Sequence, residues 1–404
     1  MKLLDLGDIY VSDFIDSPTD YGNRKTSPLA LVMDDYAPRL THTVDPDQMY
    51  GKYWYHSGTN TSMNISLRNI VEEICERIDY KSGDTWLDIA CNDGTLLSHI
   101  PYDFGTIGID PVEDSFYQQS KKVADVIVKD YFSKEAYYES EMGQEKCKVI
   151  TTIAMFYDLD DPTQFIQDVY DILDDDGIWV IQMAYSPLMI QQMAFDNICH
   201  EHIWYHSLSS MTNLMLEHDF KIVDASVNDT NGGSFRLYLQ KNKANISSFG
   251  SAPFNDVCNF RIAGMYAYEL DVFEIDNPQT WIDFGERIDQ LRDQTVDFIR
   301  KERSRGKSIY GYGASTKGNT LLQYFGLNND DIIAIAERSS EKFGKYTVGS
   351  NIPIIPEDEM RKEKPDYLFI LPWHFIREFT HREMKFLDDG GKFIVPCPNF
   401  EVIG

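Results

Sequence analysis

The chain has 404 residues, 43% of them hydrophobic, and a formal net charge of −28 spread along its length rather than gathered in a tail. That length allows two or three domains with substantial cores. The charge repels nucleic-acid backbones and anionic membranes, so neither is expected as a partner without a local basic patch. The six cysteines (Cys75, Cys91, Cys147, Cys199, Cys258, Cys397) form no C-x-x-C pair, and no signal peptide or run of 18 apolar residues is present. The expectation is a cytoplasmic protein with isolated thiols.

Residues 1–60 are aromatic-rich and show no clear periodicity. Residues 64–79 place Ile65, Leu67, Ile70, Val71, Ile74 and Ile78 at helical spacing. Strands are then expected at 85–90, 106–110, 123–128, 149–155 and 178–185. Helical stretches lie between them, such as 162–173 with its opening proline, and Asp-Asp-Asp-Gly at 174–177 reads as a turn. This alternation argues for a parallel sheet covered on both faces. Two further strands, 221–227 and 235–240, join through Asn231-Gly232-Gly233 as a hairpin. Residues 252–304 read as a charged helical bridge. A second α/β unit follows, with strands at 308–313, 332–336, 367–372 and 392–396.

The segment WLDIACNDGTL at 86–96, followed by TIGID at 106–110, reads as strand, tight acidic-Gly loop, helix and second strand ending in Asp110. Such a loop lets backbone approach a ligand, and Asp110 stands where a carboxylate accepts hydrogen bonds from ribose hydroxyls. The G-x-G-x-x-G spacing that cradles a pyrophosphate is absent. Negative charge in Cys91-Asn92-Asp93-Gly94 favours a cofactor with a positive centre, S-adenosylmethionine.

Between the fifth strand and the hairpin lie Asp196, Cys199, His200, Glu201, His202, Tyr205 and His206. Histidine is the natural base near neutral pH, and a neighbouring carboxylate orients it. His200 and His202 are also competent metal ligands, but no E-x-x-H or C-x-x-C completes a site, and a purely structural role for the histidines competes at even weight. Downstream, residues 311–318 (GYGASTKG) open a helix whose amides, with Lys317, suit a phosphate; an ordinary Gly-rich βα turn is the plain alternative.

These motifs, in this order, resemble the sugar C-methyltransferases of deoxysugar biosynthesis. The matching residues are Tyr55 to Thr59, Leu87 to Leu96, Phe195-Asp196 through Glu201-His202, Asn231 to Arg236 and Gly311 to Thr320. The resemblance covers nearly the whole chain. It implies a class I methyltransferase Rossmann-like core at 61–250, a bridge at 251–305, a C-terminal Rossmann-like nucleotide-binding domain at 306–404 and a small N-terminal module at 1–60. It implies a nucleotide-linked 4-keto-deoxysugar substrate that loses its proton at C3 to a histidine, the enolate then taking the methyl group of S-adenosylmethionine. His202 is the implied base, with Glu201 beside it. Asp88, Cys91, Asn92, Asp93, Gly94 and Asp110 would hold the cofactor, with Tyr55 and Ser57 closing over it. Asn231, Gly233, Ser234 and Arg236 would line the sugar site, and Tyr312 and Lys317 would hold the nucleotide diphosphate.

Two departures stand out. The family's N-terminal zinc module carries four cysteines. Here the first pair is absent and Met33 and Tyr36 replace the second, so no structural zinc is expected and packing through Tyr50, Tyr53 and Trp54 is the suggested substitute. Cys199 stands where some members have a tyrosine assisting the base; Tyr205 is a possible replacement, and an inert buried thiol is the reading for Cys199. Competing readings are an O- or N-methyltransferase using the same cofactor, a nucleotide-sugar oxidoreductase with NAD on the C-terminal Gly-rich loop and Glu337, and a non-catalytic binding descendant.

Overall fold

Residues 2–40 form strands where the sequence shows no clear period. In the computed structural model, which describes residues 1–19, 21–45, 49, 54–242 and 256–404, β1 (Lys2–Tyr10), β2 (Phe14–Ile15), β3 (Thr26–Met33) and β4 (Pro38–Leu40) open the chain. β1, β3 and β4 make an antiparallel sheet. Register shifts between Lys2 and Leu4 and between Asp5 and Asp8 interrupt the alternation of β1. A bulge moves the inward-facing set by one residue, which hides period two from a reader of the sequence. Tyr50 and Tyr53 lie outside the described residues.

α1 (Thr61–Arg77) follows with Met63, Leu67, Ile70, Val71 and Ile74 buried, while Ile65 faces solvent. The second sheet contains β5 (Thr85–Ile89), β6 (Gly105–Ile109), β7 (Val126–Val128), β8 (Cys147–Ile153), β9 (Leu173–Ala184), β10 (Phe220–Asn228) and β11 (Ser234–Lys241). Their order is β7-β6-β5-β8-β9-β11-β10, all parallel except β11. This is the class I methyltransferase arrangement, with the second hairpin strand inserted between β9 and β10. α2 (Pro162–Ile172) begins where the Asp161 side chain accepts the Thr163 N–H, and Pro162 needs no partner for a missing donor. The expected turn at 174–177 is instead an out-of-register stretch inside β9. Cys147 pairs with Leu173 and Val149 already with Ile178. Asp175 and Asp176 there pair with Lys241 and Lys148. α3 (Leu208–Glu217) starts with a Ser207–Ser210 capping box, and the buried carboxylate of Glu269 accepts the Leu208 and Ser209 N–H groups.

α4 (Pro278–Ser304) crosses to the C-terminal unit. There β12 (Ile309–Tyr312), β13 (Ile335–Glu337), β15 (Ile354–Pro356), β16 (Tyr367–Ile370) and β17 (Lys392–Val395) run parallel in the order β15-β13-β12-β16-β17, with antiparallel β18 (Glu401–Ile403) at the edge. α5 (Thr316–Phe325) follows β12. The two-residue strand β14 (Tyr346–Thr347) pairs with β2 of the N-terminal segment.

The N-terminal segment therefore does not stand alone. Leu3, Leu4, Leu6, Ile9, Leu29 and Leu31 share one core with Trp281, Phe284 and Ile288 of α4 and with the C-terminal sheet. Polar clamps reinforce it: Gln323 on α5 both accepts the Tyr10 N–H and donates to the Tyr10 carbonyl. Asn319 donates to the Asp13 carbonyl, and Trp54 donates to the Asp13 side chain. No helix among the described residues is long and apolar enough to cross a membrane.

Candidate active site

The first βα loop of the methyltransferase sheet is wound tightly by residues with positive φ: Ala90 at 61°, Asn92 at 52° and Gly94 at 79°. At Gly94 a side chain is excluded twice over, because a Cβ would lie 2.7 Å from the Ser120 main chain and the left-handed φ strains other residues. Asn92 is the organising residue. Its N–H donates to Asp110 Oδ2 (2.7 Å), its Oδ1 accepts the Ser57 N–H (3.1 Å) and its Nδ2 donates to the Tyr55 carbonyl (3.0 Å). Asp93 accepts the Gly58 N–H (2.8 Å). The two residues thus knit the 55–58 segment over the loop, and Arg338 of the C-terminal unit donates to the Thr59 carbonyl from the other side.

Behind this closure lies a cavity of about 350 Å³. Its lining includes Tyr55, Ser57, Asp88, Cys91, Asn92 and Asp110, together with Asn197, Asn231, Ser234 and Lys317. Asp110 sits at the end of β6 and also accepts the Val112 N–H (3.1 Å); burial pushes its carboxyl up to about 6 against these two hydrogen bonds. Asp88 is pushed up to about 7 by burial, partly offset by the Thr151 hydroxyl, which donates at 2.6 Å. Asp158 and Asp160 also line the cavity. A buried hydroxyl, that of Tyr55, has no hydrogen-bond partner among the described residues. Four carboxylates, one open phenol and an apolar wall of Met63, Leu67, Ile109 and Phe132 suit an adenosyl group joined to a positive sulfonium.

The segment 195–207, which contributes Asn197 to the lining, is held by all three parts of the chain. Phe195 stacks on Phe325, and Trp373 Nε1 donates to Asp196. The His200 ring bonds to the Ser27 carbonyl (3.1 Å), Tyr205 N–H donates to the Pro38 carbonyl and Leu40 N–H to the Ile203 carbonyl. His202 Nδ1 lies 2.8 Å from the Asn197 main-chain carbonyl. A carbonyl only accepts, so Nδ1 carries the proton and Nε2 is left with its lone pair. Burial, with the Lys317 charge adding, holds His202 down to about 3, so the ring is neutral. Burial raises Glu201 to about 7, opposed by Lys317. Burial also raises the Cys199 thiol well above its ordinary range, which suits an inert thiol.

Several sequence-chosen residues stand elsewhere. His202, Glu201, Cys199 and Tyr205 are not among the residues lining the main cavity, although two of its lining residues touch His202: Asn197 accepts its Nδ1–H, and the Tyr157 ring lies 4.2 Å from its ring. Tyr205 lines a second cavity of about 160 Å³ beside Met33, Tyr36 and Asp276. Arg236 is buried and paired with Glu73 (2.8 Å) and Gln182 (3.0 Å), so it braces the hairpin rather than facing a sugar. Gly233 gives its carbonyl to Tyr185, and a Cβ there would press on Leu188. Tyr312 is fully buried, donates to Glu383 (2.7 Å), accepts from Arg382 and does not line the cavity. In the Gly-rich loop the Ala314 N–H is already taken by Glu337 and the Gly318 N–H by Ser315. Asp93 and Gly94 shape the cofactor loop without lining the cavity. Among the described residues, the possible metal donors that converge are Cys199, Glu201 and His202, not His200. The sequence reading missed Asn197, Tyr157 and Gln182. Gln182, polar within the apolar run of β9, carried a readable signal; Tyr157 follows the end of β8, where such sheets place ligands.

Two family profiles match the chain: "Methyltransferase domain" over residues 65–225 and "C-methyltransferase C-terminal domain" over residues 229–398. The C-methyltransferase NovU of Streptomyces niveus is 28% identical over 393 residues, spanning 95% of this chain and 89% of that protein. The chain thus resembles C-methyltransferases along most of its length. Among solved structures, an S-adenosylmethionine-dependent methyltransferase from Clostridium acetobutylicum is 11% identical with a TM-score of 0.35, over 44% of this chain and 92% of that one. The plantazolicin methyltransferase BpumL in complex with SAH is 12% identical with a TM-score of 0.35, over 44% and 83%. This C-methyltransferase takes S-adenosylmethionine as its cofactor. Asp110, Asn92 and Tyr55 are the residues fitted to hold its nucleoside, and the acidic wall is fitted to its sulfonium.

Proposed function

We propose that this C-methyltransferase acts on a nucleotide-linked 4-keto-deoxysugar, with His202 as the base that removes the proton next to the ketone. The observation that carries this reading is the fixed tautomer of His202. Nδ1–H is spent on the Asn197 carbonyl, which leaves Nε2 as the nitrogen that carries the lone pair. A carbon acid needs a neutral base with a free lone pair, held in one orientation. S-Adenosylmethionine supplies an electrophilic methyl group that leaves a neutral thioether. The protein's own part is to position the ketone, take the proton on Nε2 and keep water out. Asn231 and Ser234 in the lining support a polar substrate such as a sugar, and Lys317 is the cation among the residues lining the cavity. The low basicity of His202 comes from burial and from Lys317, so an anionic oxygen beside that ammonium raises it.

The test is His202→Gln. Turnover should fall by about 10²–10⁴, the share of a general base, while calorimetric affinity for S-adenosylmethionine stays within about threefold. Equal loss of cofactor affinity would mean that His202 only supports the fold. A product methylated on oxygen or nitrogen, seen by carbon NMR, would replace the keto-sugar reading with a heteroatom methyltransferase.

A further inference from the structure

We propose that Lys317 is the group that receives the negative charge of the enolate, a role distinct from holding a diphosphate. The proposal rests on the keto-sugar reading above.

Lys317 comes from α5 of the C-terminal unit yet lines the cavity of the methyltransferase unit. Among the described residues no carboxylate lies within ion-pair distance of its ammonium, an unusual condition in a chain with 65 acidic residues. Its hydrogen bond goes to the side-chain oxygen of Asn197. The same Asn197 fixes the base, because its main-chain oxygen takes His202 Nδ1. One residue therefore carries both the lysine and the histidine on its two oxygens. The lysine charge is felt by His202, Glu201, Cys199 and Asp196 alike.

The chemistry requires a cation at this place. When the α C–H bond breaks, its proton passes to His202 Nε2. The electron pair forms the carbon–carbon double bond, and the carbonyl π pair moves onto oxygen. That oxygen is two bonds from the carbon losing its proton, so its counter-charge must stand beside the base. The diphosphate hangs from the anomeric carbon, across the sugar ring from a 4-ketone. A lysine tied to the base through Asn197 is thus placed for the ketone oxygen. A preorganised donor aimed at a developing oxyanion in a dry site stabilises the transition state more than the ground state. Asn197 offers only a neutral oxygen, which the ammonium gives up for an anion more readily than it would a carboxylate.

The probe is thymidine-diphosphate-4-keto-6-deoxyglucose in deuterated buffer, with loss of the C3 proton followed by NMR at saturating probe. In Lys317→Met, exchange should slow by about 10²–10³, the usual loss on removing an oxyanion donor. Affinities for thymidine diphosphate and S-adenosylmethionine should stay within about threefold. Lys317→Arg, which keeps the charge, should recover at least about tenfold of the lost rate. Wild-type exchange in Lys317→Met would overturn the proposal. So would a fall of more than about tenfold in thymidine diphosphate affinity with exchange intact at saturation, which would make Lys317 a phosphate ligand. If the wild-type protein binds the probe but never exchanges its C3 proton, the keto-sugar reading fails, and the enolate role fails with it.

Discussion

Asp110 shows how much one buried carboxylate decides. It caps β6, takes two main-chain N–H groups and still offers lone pairs to the cavity. Its raised value of about 6 has a definite sign. A ribose diol donates to the ionised form, so cofactor affinity is kept above about pH 6 and lost as pH falls through it. Asp88, at about 7 in the same cavity, leaves a second and weaker dependence. Calorimetry from pH 8 to pH 5 should show affinity for S-adenosylmethionine falling several-fold. Asp110→Asn should bind at least about tenfold more weakly at pH 8, from the loss of charge-assisted hydrogen bonds, and should lack the step near pH 6. An unchanged affinity in that variant would remove Asp110 from the cofactor site. Residue types single out Asp110 and His202 as candidates, because a carboxylate at a strand end and a histidine beside a carboxylate are chemically competent there. They could not sort Arg236 or Tyr312. Both lie in ligand-like motifs, yet Glu73 and Gln182 claim one and Glu383 and Arg382 the other.

Among the elements, the parallel strands were readable and the short or bulged ones were not. β5, β6 and β8 are rich in Ile, Val and Thr and buried along almost their whole length, as strands covered on both faces are. β15 and β18 have three residues each, too few to show a period, and exist through pairing with β13 and β17. β1 is long but bulged. Its sheet has no cysteine pair at Met33 and Tyr36; Met33 packs on the shared core and Tyr36 donates to Glu217. Its stability is therefore a matter of apolar burial. Leu31, fully buried on β3, is the place to test it. Leu31→Ala should cost about 2–5 kcal/mol in urea unfolding, the range for a leucine truncated in a packed core. Treatment of the wild-type protein with EDTA should leave the unfolding midpoint unchanged. A midpoint lowered by chelation would mean that a metal supports this module after all.

Across the whole molecule, the N-terminal strands and the C-terminal sheet act as one body through the core they share with α4. The segment 195–207 is clamped between that body and the methyltransferase sheet. Destabilising β3 should therefore be felt far away in the chain. In Leu31→Ala, hydrogen exchange should speed up in β12 and β16, which belong to the shared core, before it does in β6, which belongs to another cluster. Uniform loosening would instead point to a single cooperative unit, and loosening confined to residues 1–40 to an independent module.

The sequence by itself determined the two α/β units and the tight acidic loop after β5, and it singled out the carboxylate at 110 and the histidine at 202 as candidates. These rest on local chemistry: apolar runs, residues tolerant of positive φ and titratable groups at strand ends. The tertiary structure decided what pairing over long distances controls. It brought Lys317 from the C-terminal unit to Asn197 and made the N-terminal segment part of the C-terminal core. It also turned Arg236 and Tyr312 away from the cavity, because a polar side chain faces a ligand only when no nearer partner satisfies it. That competition is settled by packing, and no local stretch of sequence contains both competitors.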